Sequence, residues 1–220
     1  MSSTLTHEEE QKISDWLADH PTLTRGVGNA EAACSVAAWT LALTGTLTDK
    51  IPDCASEVTG RWIIRVQDSC LPEHGRGHPE WLRLLPLAAG TGRAHEAERL
   101  AIVMDWMWGT VLPSVQTIAD GRGFGKQWRE MCENRTEAAA EAAYAAANAA
   151  DAMHAAAAMY AADAAADVAN AAANAAYTTG NAVSAADEAA RMAGPDAWAT
   201  FAPVEVLRKL IAVTDARAGA

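Results

Sequence analysis

Positive charge is what this chain has least of. Its 17 lysines and arginines stand against 28 aspartates and glutamates, a formal net charge of -11. That balance excludes a broad nucleic-acid-binding face, because phosphate contacts need clustered cations. The one regional concentration of arginines is Arg61, Arg65, Arg76, Arg83, Arg93 and Arg99. Between Arg135 and Arg191 no cation occurs, so a helix there has no i to i+4 salt bridge to steady it. A CxxC pair is also missing. The 4 cysteines stand at positions 34, 54, 70 and 132, which leaves neither a zinc nor a dithiol redox motif. No apolar run is long and uninterrupted enough to span a bilayer. The alanine-rich stretch carries Asp151, Asp163 and Asp167, and each charge at membrane depth costs about 3 kcal/mol. The opening MSSTLTHEEEQK has no signal-peptide pattern. The expectation is a cytoplasmic protein with no membrane contact, no nucleic-acid partner, no cofactor and no metal.

What the chain does have is two contrasting parts. Trp16, Trp39, Trp62, Trp81, Trp106, Trp108 and Trp128 all lie in the first 130 residues, whereas 26 of the 40 residues from Ala138 to Tyr177 are alanine. The fold expected is all-α: a multi-helix bundle with a tryptophan-rich helical domain over 1–125 and an alanine-rich helical region over 126–220 that ends in a packing helix. Residues 5–19 read as a helix capped by Thr6, with Glu8 to Glu10 in its positive first turn. A second helix starts after GVGN with Asn29 as cap and stops at Gly45. A third begins at Pro52, where the helical spacing of Val58, Trp62, Ile63 and Val66 outweighs the strand-like composition of RWIIRVQ. EWLRLLPLAA gives a short helix. AHEAERLAIVMDWMWGTVLPSVQTIA gives a strong helical pattern that Pro113 kinks or divides. SAADEAARMA reads as a separate helix opened by Ser184 with Asp187, and PVEVLRKLIAVTDA closes the chain as an amphipathic helix.

Alanine is the best helix former, so the residues that interrupt it carry the information. Glu137, Glu141, Tyr144, Asn148 and Asp151 repeat at steps of four and three. Asp163, Asp167, Asn170, Asn174, Tyr177 and Asn181 repeat the same steps, with the phase slipping near residue 155. Two geometries fit. One is a single helix of about 50 residues, about 75 Å long; the other is a hairpin broken near His154. A lone helix of that length with an alanine surface buries too little to stabilise itself, so its faces must pack on the same chain or on another copy. Ala165→Leu separates a solvent-facing helix from a close contact, since only the contact is overpacked.

Several residues are candidates for chemistry. Cys34 follows a glycine-rich turn and, near a helix start, is a candidate nucleophile if the fold supplies His154 and an acid such as Asp105; the competing reading is a buried small core residue. Asp105 also suits an ion pair with an arginine. GTGR at 90–93 and GRGFGK at 121–126 invite an anion, but the second lacks the phosphate-loop spacing and its Ser or Thr, so both read as turns. His74 and His78 lie in a loop rather than on a helix, and His95, Glu96 and Glu98 do not make HExxH. Trp106 and Trp108 point about 200° apart on a helix and serve two contacts, with Trp108 a candidate for a partner. The expected partner-binding set is Trp108, Tyr144, Asp151, Tyr160, Asp163, Asp167 and Tyr177.

The run AAYAAANAADAMHAAAAMYAAD, within 137–177, resembles the alanine-rich immunity proteins of bacterial toxin systems, which implies a role in binding and neutralising a toxin. PTLTRGVGNAEAACSVAAWTLALTG and IPDCASEVTGRWIIRVQD resemble bacterial and phage proteins of no known activity, over residues 20–135. Neither resemblance supplies site residues. The function expected is an acidic helical interaction or inhibitory module acting on a protein partner; the alternatives are a small hydrolase or ligand-binding protein with a site between helices, and a self-assembling structural protein.

Overall fold

The computed structural model describes residues 5–150, 152–170, 175–194 and 196–213, without the side chains of residues 152–155 and 170. Among the described residues the secondary structure is helical, with no β-sheet. Two compact units emerge, Met1–Ile102 with Ala202–Ala220, and Val103–Phe201. The units therefore part at 102/103 and 201/202, not at the expected 125/126. The last helix returns to the tryptophan-rich unit instead of closing the alanine-rich one.

The first unit holds α1 (His7–Asp19), α2 (Ser35–Thr44), α3 (Glu57–Ser69), α4 (Pro79–Ala89), the start of α5 (Glu96–Trp106) and α13 (Pro203–Ile211). Thr6 and Glu9 form the reciprocal cap of α1: the Glu9 amide donates to Thr6 Oγ1 at 3.2 Å and the Thr6 amide to Glu9 Oε2 at 2.9 Å. Gly45 closes α2 in the left-handed conformation at φ 71°, as glycine allows without penalty. Two starts differ from expectation. Asn29 accepts from the Glu31 and Ala32 amides inside the preceding turn, and Cys34 is the residue that caps α2. Pro52 belongs to a turn, and α3 starts only at Glu57 behind the cap Ser56. RWIIRVQ is helical. Trp39, Trp62 and Trp81 are wholly buried, and Trp62 and Trp81 meet at 6.0 Å between ring centroids.

The first turn of α5 organises this unit. Glu96 accepts from Ser56 Oγ at 3.0 Å and from the Glu57 and Val58 amides, both at 2.9 Å. A carboxylate thus sits on the positive end of α3 and satisfies amides that have no partner within that helix. One turn on, Arg99 is 1% exposed. Its guanidinium donates to the carbonyls of Leu210 at 3.1 Å, Val213 at 3.0 Å and Thr91 at 2.8 Å, and also to Gly92 and Ala94. A cation therefore meets the negative end of α13. Arg208 on α13 pairs with Glu80 of α4, with Nε 2.9 Å from Oε1.

The second unit continues α5 into a π-helical turn, Met107–Val111, in which Leu112 donates to the Met107 carbonyl. Then come α6 (Leu112–Ser114), α7 (Gln116–Gly121), α8 (Gly125–Asn134), α9 (Glu137–Ala149), α10 (Ala152–Asn170), α11 (Ala175–Ala193) and α12 (Ala197–Phe201). Pro113 lacks the amide that a regular ladder would use. Helical continuity is lost around it, with Val115 outside helical geometry.

The alanine-rich stretch is not one helix. It breaks at Arg135, whose φ is 53°, and at Ala150, which is extended at φ -85° and ψ 158°. The single 75 Å rod is thus replaced by the fold-back alternative, with α10 packed against both α9 and α11. The break at Ala150 falls four residues before the expected one. Burial explains the break better than turn chemistry: Ala140, Ala143 and Ala147 on α9 face inward with Ala158, Ala161, Ala162 and Ala165 on α10, all 0% exposed. Steps of three and four place these methyls in one stripe per helix. The SAADEAARMA segment is no separate helix. α11 runs through it, and Ser184, instead of capping, donates back to the Gly180 carbonyl at 3.1 Å.

Two outcomes follow for stability. Ala165→Leu should lose about 1–3 kcal/mol in urea titration through overpacking, whereas a solvent-facing control, Ala156→Leu, should be nearly neutral. Arg99→Met should lose about 3–5 kcal/mol by leaving buried carbonyls unsatisfied, with faster amide exchange over 205–213 as the local sign.

Candidate interaction surface

The outward face of the alanine helices carries nearly all their polar groups. On α10, Tyr160, Asp163 and Asp167 are exposed at steps of three and four, opposite the buried alanines. On α11, Tyr177, Asn181, Ser184, Glu188 and Arg191 repeat those steps. Asp167 joins the two rows: the Tyr177 hydroxyl donates to its Oδ2 at 2.9 Å, and Asn181 Nδ2 donates to the same oxygen at 3.1 Å. Tyr160 is 62% and Tyr177 52% exposed, so both rings offer apolar area to solvent. Tyr144, at 36%, stands on α9 with Glu141 and Asn148 a turn to either side.

Of the expected partner-binding residues, the structure brings together Tyr160, Asp163, Asp167 and Tyr177. Asp151 lies outside the described residues. Trp108 must be withdrawn: it is 3% exposed, in the π-helical turn that packs against α11 and α12. Trp106 is likewise internal, donating from Nε1 to the Phe201 carbonyl at 2.8 Å and meeting the Phe201 ring edge-on. Both indoles serve packing because this segment is enclosed on more than one side. Asn181 is the member that sequence reading counted in the polar stripe but did not select for the surface. Its step of four from Tyr177 was the available signal.

The catalytic candidates find local, structural explanations. Cys34 is 1% exposed, and its Sγ accepts from the Ala37 amide at 3.3 Å as the α2 cap. Burial pushes its thiol above the ordinary range, the opposite of an activated nucleophile. Asp105 is an exposed partner of Arg135, 3.5 Å away. The side chain of His154 is outside the described residues. The other thiols follow Cys34: burial raises Cys54, and pushes Cys70 and Cys132 up to about 12.

The anion-loop candidates are filled by the chain itself. In GRGFGK the Asp120 carboxylate lies against Gly125, where an added Cβ would come within 1.9 Å of Oδ1. Gln116 bridges that carboxylate and the Gly125 carbonyl, both at 2.9 Å. An acid, not a phosphate, occupies this turn. In GTGR, Gly92 donates to the Cys54 carbonyl at 2.8 Å and Arg93 pairs with Glu57. His78 accepts from the Glu80 amide as the α4 cap. Among the described residues no group of three or more His, Cys, Asp or Glu could hold a metal ion, and no helix is long and apolar enough to cross a membrane.

Compared with protein-family models, with curated proteins and with solved structures, the chain matches none.

If the thiols are structural, iodoacetamide in mildly alkaline buffer should modify the native protein about 100-fold more slowly than the unfolded chain, in which all 4 cysteines react. Rapid labelling of Cys34 in the native protein, read by mass spectrometry, would restore it as a nucleophile.

Proposed function

We propose that this chain is a protein-interaction module whose α10–α11 face docks on a basic surface of a protein partner. The observation that carries the reading is the contiguous patch of Tyr160, Asp163, Asp167, Tyr177 and Asn181, tied through one carboxylate. Tyrosines suit such a role because they offer large amphipathic contact area while losing little side-chain freedom. The acids add long-range attraction for a cationic partner and repel acidic ones. No lysine or arginine lies between Arg135 and Arg191 to cancel that field. An inhibitory role, as the resemblance to alanine-rich immunity proteins implies, is the form of docking that this reading favours, with the patch covering the partner's basic site.

The test is affinity capture from the source organism with the wild-type chain and with a Tyr160→Ala, Asp163→Lys, Asp167→Lys variant. All three side chains are exposed, so circular dichroism should be unchanged. The captured partner should carry a basic surface, and its affinity should fall about 100-fold or more in the variant and decline steeply with salt. Equal capture by both proteins sinks the reading.

A further inference from the structure

A second feature lies in the other unit. α1 and α4 pack side by side and leave a groove of about 450 Å³ between them. α4 lines it with positions i, i+3, i+4 and i+7, one continuous stripe, and α1 with Ser14, Leu17 and Ala18, extended by Pro21 just beyond its end. Leu17, Ala18 and Pro21 form one wall, and Pro79, Leu82 and Pro86 the other. A span of seven residues along α4, Pro79 to Pro86, makes the groove about 10 Å long.

Its only charged lining group is Arg83. The ion pair recorded for that guanidinium is a long one, 3.9 Å to Glu80. The same carboxylate is already held by Arg208 at 2.9 Å. The hydrogen bond from Arg208 is the first cause of the low pKa of Glu80, ahead of any effect of Arg83. Glu80 is thus held mainly by Arg208, and Arg83 stands at the rim of the groove with one long ion pair. The other polar lining group, Ser14, spends its hydroxyl proton on the Glu10 carbonyl at 3.0 Å, so it offers an incoming group only acceptor lone pairs.

We propose that the α1–α4 groove binds a small amphipathic carboxylate, an alkanoic or aryl-alkanoic acid whose chain lies along the two apolar stripes and whose carboxylate pairs with Arg83. Charge decides the head group: a single arginine at the rim, with donors not taken up by its long ion pair, favours an anion. Size decides the class. Eight lining residues fall well short of the 20–30 residues a side of a stable protein interface, whereas the volume lies within the ordinary range for small-ligand sites. The length matches a chain of about eight carbons at roughly 1.25 Å per bond along the axis. Pro21, Pro79 and Pro86 hold fixed backbone angles, so the walls are formed in advance and little ordering accompanies binding.

The test titrates the full chain, labelled at its leucine methyls, with sodium octanoate and separately with 1-octanol. Octanoate should shift the Leu17 and Leu82 methyls saturably, and 1-octanol should bind about fivefold more weakly. Arg83→Gln should weaken octanoate about fivefold and leave 1-octanol unchanged; this side chain is 76% exposed, so the fold is not at stake. Ala18→Trp, which fills the groove from an exposed position, should abolish both shifts. Octanoate affinity unchanged in Arg83→Gln, equal binding of octanol, or shifts that never saturate would each overturn the proposal. So would groove methyls that ignore octanoate and respond instead to the captured protein partner, because that would assign the groove to a protein.

Discussion

One helical turn, Glu96 to Arg99, holds opposite charges against the matching ends of two helices. Glu96 covers the amides that open α3, and Arg99 gathers the carbonyls that close α13. Neither charge is neutralised mainly by a charged side chain in contact with it. Each is neutralised by backbone dipoles, which are fixed once the helices form and cost no further ordering. That explains how an arginine can be buried this deeply without a bound acid: its donors are satisfied by carbonyls that would otherwise lack partners. Burial still lowers its hold on the proton, and the fields of Glu96 and Glu98 oppose that change. α13, whose end Arg99 covers, belongs to the first unit, so that unit is discontinuous in sequence.

The second unit solves a different problem. Alanine contributes little buried area per residue, so its helices must approach closely and repeatedly to gain stability. Folding the stretch into α9, α10 and α11 gives α10 two neighbours, and its buried stripe broadens accordingly to include Ala158, Ala161, Ala162, Ala164, Ala165 and Val168. A straight rod would leave those methyls in water. Packing therefore overrides the local preference of the chain for continued helix, and the break at Ala150 follows from tertiary burial with no glycine or proline to mark it.

This division shows why some features were legible and others not. Local rules located the Thr6 cap, the Gly45 stop, the helical state of RWIIRVQ and the shared stripe of Asp163 and Asp167, because each depends on residues within a turn or two. The polar stripe could be read for the same reason: the position of an exposed side chain on a helix is set by its own period. Cys34 could not be recognised as a cap, since a thiol is a weak acceptor and seldom takes that place. Helical spacing lets Trp108 face either a core or a partner, and the neighbours that bury it, α11 and α12, lie more than sixty residues downstream. The partition at 102/103 and 201/202 follows the return of α13 to pack against α3 and α4, which no local pattern records.

The two units also differ in what their surfaces can vary. In the alanine helices, the inward faces are methyl groups whose packing depends on smallness and not on particular shapes. Outward positions such as 160, 163, 167 and 177 are therefore largely uncoupled from the core, and substitutions there should add independently of one another unless they touch Asp167, which two neighbours share. A scaffold of this kind separates folding from surface chemistry: alanine provides helix propensity and close approach, and the interrupting tyrosines and acids can vary with little effect on the core. Removing the sparse polar groups would cost the bundle little of its buried area, so packing alone does not account for tyrosines and acids at these positions; under the proposed function they are the recognition pattern.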